Sequence, residues 1–305
     1  MTDTRSEKIT VLVVGATGLL GSYITKHCLQ QPNLHVSILV RDRHKNKEIV
    51  DLVEKAGGRV LIGDIEKPET LVGVTKGIHT VISAVSSMTN PGIFVQPQIN
   101  LVNEAVKSGV QRFVPSDFGV NYTKFTRSEI SPFVLAKVKL EFDDYIKTLP
   151  IKTLNFWTGA LIELFFNIHA QGLTYWGDHA DQKFDFTSYE DTGRFVAAAV
   201  ARKDLTGHQV YVSNELSLNE LATIYNRVRG AHIYPRRLGS LWDIKHQYED
   251  KVRAGDQMGA FMSGMALILN DPRAKFDRTN NRDFPEVKPT TMEEFLRTHP
   301  EAKLA

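Results

Sequence analysis

This chain has almost no cysteine, no excess of charge of either sign and no long apolar run, and each shortage removes a class of protein. Of its 305 residues one is a cysteine, Cys28, which excludes an intramolecular disulfide; its place on the apolar side of a helical pattern makes it a packed thiol. Lys and Arg together number 37 against 35 acidic residues, a net charge of +2. That balance gives no electrostatic case for a nucleic-acid or membrane partner, and a small ligand is enough. No apolar stretch is long enough to span a bilayer, and the polar segment Met1 to Lys8 leads straight into an apolar run without a signal-peptide pattern. The expectation is a cytoplasmic protein, monomer or homodimer. Repeats, low-complexity tracts and flexible linkers are also missing.

What is present begins with Val11-Leu12-Val13-Val14-Gly15-Ala16-Thr17-Gly18-Leu19-Leu20-Gly21. Mostly β-branched residues read as a buried parallel strand, and three glycines spaced three apart carry it into an amphipathic helix. Such a turn suits a pyrophosphate: Gly15 and Gly18 let backbone approach phosphate, the first helical N–H groups are free donors, and Gly21 lets helix pack on strand. The pattern then alternates. Strands are predicted over His35 to Val40, Arg59 to Ile62, Thr80 to Ala84, Arg112 to Pro115 and Lys152 to Phe156. Helices are predicted around Ile49 to Ala56, Pro97 to Ser108 and Phe133 to Thr148, giving an α/β doubly wound parallel sheet of Rossmann type.

A change of character after Leu161 predicts a second, smaller and mainly helical substrate lobe over 158–186 and 216–305. The nucleotide-binding domain would span 1–157 and regain segments near 187–215, through a helix at Asp191 to Ala201 and a strand at Gln209 to Val212. Ser217-Leu218-Asn219-Glu220 has capping-box spacing for a helix reaching Arg229.

In this fold the end of the second strand meets the adenosine ribose, where a carboxylate would bind the 2′-hydroxyl and a guanidinium a 2′-phosphate. Arg41 stands at that end with Arg43, Lys45 and Lys47 beside it, which favours NADP over NAD, while Asp42 keeps the alternative open. Asp64, in Gly63-Asp64-Ile65, could accept from the adenine amino group or cap the short helix before Leu71. Val85-Ser86-Ser87 crosses the cleft at the strand ends.

Short-chain reductases pair a tyrosine with a lysine four residues later. Here Phe133-Val134-Leu135-Ala136-Lys137 keeps the lysine and loses the hydroxyl. Acid work would fall to Lys137, a bound water or another residue, and an ammonium near a cationic nicotinamide has its pKa lowered toward a useful range. A surface helix lysine is the plain alternative, with Lys139 two residues on.

Gly15-Ala16-Thr17-Gly18-Leu19-Leu20-Gly21, Leu39-Val40-Arg41, Gly63-Asp64-Ile65 and above all Arg112-Phe113-Val114-Pro115-Ser116-Asp117-Phe118-Gly119 resemble the isoflavone reductase and NmrA-like group of atypical short-chain reductases. The resemblance covers the chain to about Leu154 and continues weakly at Ser217-Leu218-Asn219-Glu220-Leu221. It implies NADPH as cofactor and a lysine in the tyrosine's role; counting back from Pro150, that lysine is Lys137 rather than Lys139. It also implies Arg41 on the 2′-phosphate, and Ser86 with Ser116 to Phe118 beside the nicotinamide half. The expected cofactor contacts are Gly15, Thr17, Gly18, Leu19, Leu20, Arg41, Lys45, Asp64, Ile65, Ala84, Val85, Ser86, Ser116, Asp117, Phe118, Lys137 and Trp157. One departure stands out: Phe156-Trp157-Thr158-Gly159 puts a large aromatic where the family has asparagine.

Phe118, Trp157, Phe165, Phe166, Trp176, Met258, Phe261 and Met262, with Met265, could line an apolar pocket for a flat substrate, although aromatic and Met stripes are more often core. Asp178-His179-Ala180-Asp181 has no second histidine at ligand spacing, so a hairpin turn and no metal are expected. The reading is an NADPH-dependent reductase of a small aromatic or polyketide-like metabolite. The alternatives are a non-catalytic NADP sensor of NmrA-like type and a non-redox isomerase or dehydratase on the same fold.

Overall fold

The structure is a computed structural model and describes residues 8–86, 94–130 and 133–304. Seven parallel strands form the central sheet: β1 (Ile9–Val14), β2 (Leu34–Val40), β3 (Val60–Ile62), β4 (Thr80–Ser83), β5 (Arg112–Val114), β6 (Lys152–Trp157) and β10 (Gly207–Val210). Their order is β10-β6-β5-β4-β1-β2-β3, so the direction of winding reverses between β1 and β4. That reversal opens a crevice at the carboxyl ends of the strands, where ligands of this fold bind.

Both faces of the sheet are covered, which is why its central strands read as continuous apolar runs rather than alternating ones. One face carries α1 (Leu19–Gln30), α2 (Lys47–Lys55) and α7 (Tyr189–Val200), with Ile24, Val53 and Phe195 packed against Val11, Val13 and Ile38. The other carries α3 (Val95–Lys107) and α5 (Val134–Ile146), with Leu101, Phe142 and Ile146 against Leu12, Val81 and Phe113. Cys28 is fully buried in the first of these layers, and burial pushes its thiol up to about 12.

After β6 the chain builds β7 (Ala160–Leu161), α6 (Ile162–Ile168), β8 (Thr174–Trp176) and β9 (Lys183–Thr187) before returning to α7 and β10. It continues with β11 (Asn214–Ser217), α8 (Leu218–Arg229), β12 (Arg236–Gly239), α9 (Leu241–Arg253), α10 (Gln257–Asn270) and α11 (Met292–Thr298). The segment outside the main sheet therefore also holds two small sheets, β11-β9-β7 and β12-β8. Of their strands only β8 is suggested by the sequence, where Leu173-Thr174-Tyr175-Trp176-Gly177 reads as strand and turn; the pairing into two sheets is not, because each strand has five residues or fewer and pairs across a long separation. The Asp178-His179 turn is accordingly not a hairpin, since β8 and β9, on either side of it, lie in different sheets. The capping box at Ser217 is formed, with the Ser217 side chain accepting from the Glu220 N–H and the Glu220 carboxylate accepting from the Ser217 N–H. Among the described residues no helix is long and apolar enough to cross a membrane.

Candidate active site

The glycine turn lies where the strand order reverses. Gly15 has φ +84°, a conformation that favours glycine, and a Cβ there would sit 2.6 Å from the Ala84 carbonyl oxygen at the end of β4. A Cβ on Gly21 would come within 2.0 Å of the Gly15 oxygen, so the start of α1 can rest on the turn only without a side chain at that position. The Gly18 N–H donates to the Gly15 carbonyl at 2.9 Å, and no side chain caps α1. Leu19, at the first position of the helix, is 73% exposed, while Leu20 packs on the core. The Thr17 carbonyl accepts from Asn46 Nδ2 at 3.2 Å, tying the turn to the basic loop after β2.

In that loop Arg41 and Lys45 are exposed, and neither pairs with a carboxylate among the described residues. Arg43 is ion-paired with Glu54. Asp42 Oδ1 accepts from the His44 N–H at 2.8 Å, so this carboxylate is engaged in its own turn. Asp64 behaves alike: its Oδ1 accepts from the Glu66 N–H at 3.1 Å, and it does not cap the short helix at Pro68–Leu71. The Ile65 carbonyl accepts from Asn100 Nδ2 at 2.9 Å.

Ala84, Val85 and Ser86 follow β4, and Ser87 lies outside the described residues. Ser116 Oγ donates to the Val85 carbonyl at 2.6 Å, joining the ends of β4 and β5. Beneath them Gln98 Oε1 accepts from Ser83 Oγ at 3.0 Å and from the Ser116 N–H at 3.2 Å. The Gln98 Nε2 atom is buried without a partner among the described residues.

The loop then turns inward. Phe118 stacks on Phe156 with ring centres 6.2 Å apart. Asp117 is not directed at the strand-end cleft; its carboxylate accepts from Trp157 Nε1 at 3.0 Å and stands 3.8 Å from Lys139 Nζ. Burial raises the Asp117 pKa to about 6 against the pull of Lys139 and the Trp157 bond. Lys139 donates to the Phe118 carbonyl at 3.2 Å, its ammonium is 5.4 Å from the centre of the Tyr122 ring, and burial lowers its pKa.

Phe118, Gly119, Tyr122 and Lys139 form one end of a cavity of about 230 Å³. Leu161, Leu164, Phe165 and Ile168 line it from α6 and the residue before it, Trp176 and Phe184 from two small strands, and Met262, Met265 and Ile268 from α10. This is an apolar, concave site with few polar groups, the usual character of a small-molecule pocket.

Of the expected pocket residues, Phe118, Phe165, Trp176 and Met262 line this cavity, and Met265 with them. Four do not. Trp157 is 8% exposed and lies on another face of β6, stacked on His208 at 4.2 Å and facing Phe276 at 6.4 Å, because the neighbouring β10 covers that side. Phe166 is core, against Tyr225 and Phe295, since neighbouring residues of a helix point about 100° apart and Phe165 already takes the cavity side. Met258 is 66% exposed in the first turn of α10, and Phe261 is half-buried and not part of the cavity lining. Lys137 is absent from the lining too: its side chain is 52% exposed, with Glu141 Oε1 at 3.6 Å. Lys139 faces the cavity instead. The α6 spacing Leu161, Leu164, Phe165, Ile168 is the signal that could have shown this wall from sequence.

Comparison with known proteins gives the same pattern at full length. The chain is 25% identical to phenylcoumaran benzylic ether reductase PT1 of Pinus taeda, over 94% of this chain and 97% of that one. It is 24% identical to pinoresinol reductase 2 of Arabidopsis thaliana, over 95% and 97%. Among solved structures, the leucoanthocyanidin reductase of Vitis vinifera in binary complex with NADPH superposes with a TM-score of 0.77, at 19% identity over 95% of this chain and 99% of that one. The Citrobacter sp. triphenylmethane reductase complexed with NADP(H) gives 0.73, at 18% identity over 94% and 99%. These likenesses show the fold. The profile of the NmrA-like family matches residues 7–296, which takes in the glycine turn, the loop after β5 and every wall of the cavity: the chain belongs to the NmrA-like family.

Proposed function

We propose that this chain is an NADPH-dependent reductase that acts on a carbonyl or conjugated double bond of a small aromatic or polyketide-like molecule. One observation carries the reading: the loop after β5 serves both halves of the site. Ser116 joins the strand ends of the cleft, and two residues later Phe118 opens the aromatic cavity. A ligand in each would meet across this loop. The names of the two curated relatives described above, both reductases, support the same class of reaction.

The residues present fit the dinucleotide. The turn leaves no room for a Cβ at Gly15, α1 starts without a side-chain cap, and its first N–H groups are donors for phosphate. Arg41 and Lys45 make no ion pair among the described residues while Asp42 is engaged, which supports NADP over NAD. When bound, NADPH supplies the hydride. The protein supplies placement and one proton or hydrogen bond, which we assign to Lys137 on the strength of the family resemblance. Lys137 lies in the first turn of α5, at the end of the sheet where the strands finish, and its exposed pair with Glu141 costs little to exchange.

The test is the fall of NADPH absorbance when a panel of aromatic ketones and enones is added to the protein. Consumption with at least one member supports the reductase. Tight binding of NADPH that no member consumes supports the sensor reading instead, which the position of Lys137 outside the cavity favours.

A further inference from the structure

Lys139 is a buried ammonium whose protons are not all engaged among the described residues. An ammonium has three donors, and the Phe118 carbonyl at 3.2 Å takes one. Asp117 Oδ1 at 3.8 Å attracts the charge but lies beyond hydrogen-bond distance. The side chain is 9% exposed, and it lines a cavity whose other walls are mainly apolar, with Tyr122, His169, Thr174 and Asn270 as their polar members.

The other titratable groups on that lining are Tyr122 and His169. Tyr122 is buried and its pKa is raised by burial. His169 Nδ1 accepts from the Thr174 N–H at 3.4 Å, and burial lowers its pKa, so it is neutral. Among the described residues the cavity thus presents one charge, positive, at the end next to the loop after β5. A buried donor without an acceptor is costly, and a ligand oxygen would remove that cost.

We propose that Lys139 Nζ is the oxygen-binding donor of this cavity, which takes a flat, largely apolar ligand bearing an acceptor oxygen, either a carbonyl or an ionisable phenol or enol, seated on the ammonium. Lys139 is thereby a specificity-determining residue, distinct from Lys137. The proposal rests on the reductase reading only in making this ligand the substrate. Its test needs neither cofactor nor turnover, so either can fail while the other stands.

The probes are 4-nitrophenol and 4-nitrotoluene, which share ring and nitro group and differ in a hydroxyl against a methyl. In equilibrium dialysis at neutral pH the wild type should hold the phenol about tenfold more tightly, the worth of one bond to a charged group. The visible absorbance of the phenolate should show the pKa of the bound phenol lowered by about one unit or more. In Lys139→Met the preference should vanish and the bound phenol's pKa should rise, because an apolar cavity favours the neutral form. That variant leaves Asp117 buried without its counter-ion, so Lys139→Met combined with Asp117→Asn is made alongside it. Ala266→Trp fills the cavity with Lys139 intact and should abolish binding of both probes.

If Lys139 only ties α5 to the loop after β5, its loss lowers the melting temperature and leaves the phenol's pKa where it was. That outcome overturns the proposal. So do failure of the wild type to bind the phenol, equal affinity for both probes, or a bound phenol in the wild type whose pKa is unchanged or raised.

Discussion

Lys137 and Lys139 stand two positions apart on α5 and therefore point about 200° apart around the helix. A sequence motif counts residues along the chain, so it can place a lysine on this helix without saying which side the cavity takes. In the reductase reading Lys137→Ala keeps NADPH binding, measured by calorimetry, and lowers turnover by about 10²–10⁴-fold; full turnover in the variant would take Lys137 out of the mechanism. Asp117 offers a pH signature at the same scale. Burial holds its folded pKa near 6, above the unfolded carboxylate value of about 4. Between those values the native state binds more protons than the unfolded one, so this residue's contribution makes stability fall as pH rises from about 4 to 6 and stay level above. Asp117→Asn should abolish that segment, so that thermal melts show the variant gaining on the wild type at pH 6.5 relative to pH 4.

The elements are held by contacts that their own sequences do not announce. Arg112, the first residue of β5, is 1% exposed and forms no ion pair among the described residues, although the Asp204 charge acts on it. Its guanidinium donates to the carbonyls of Val200 at 2.6 Å, Arg202 at 2.7 Å and Leu205 at 2.8 Å, and to Thr80 Oγ1 at 3.2 Å. Those carbonyls lie at and beyond the end of α7, where a helix leaves acceptors unpaired and its dipole favours a cation. Arg112→Met keeps the length and loses the donors. The expected cost is about 3 kcal/mol or more, read as a lower urea midpoint at unchanged slope.

The main strands were legible within two or three residues because each is a short apolar run next to a turn. β10 came two residues earlier than its pattern suggested, over Gly207–Val210 rather than Gln209 to Val212. Trp157 was misplaced because nothing in Lys152 to Trp157 says that a strand fifty residues later will cover one side of its end.

At the scale of the whole molecule, what could be read was local and what could not was assembled. The glycine turn, the basic loop and the Ser217 capping box each fit within a dozen residues. The cavity draws its walls from the loop after β5, from α6, from β8 and β9 and from α10, so no stretch of sequence contains it. The same dispersal governs the large apolar layer in which Val11, Val13 and Ile38 meet Phe195 and Phe284. Gly193 of α7 is pressed so closely on α1 that a Cβ there would lie 2.9 Å from the Tyr23 backbone.

During synthesis this has a cost in time. β1 and α1 leave the ribosome well before α7, the helix that seals their layer, which starts at Tyr189, about 160 residues after α1 ends at Gln30. At typical elongation rates that interval is on the order of ten to thirty seconds. Through it the sheet face built on β1 carries apolar residues that α7 has yet to cover.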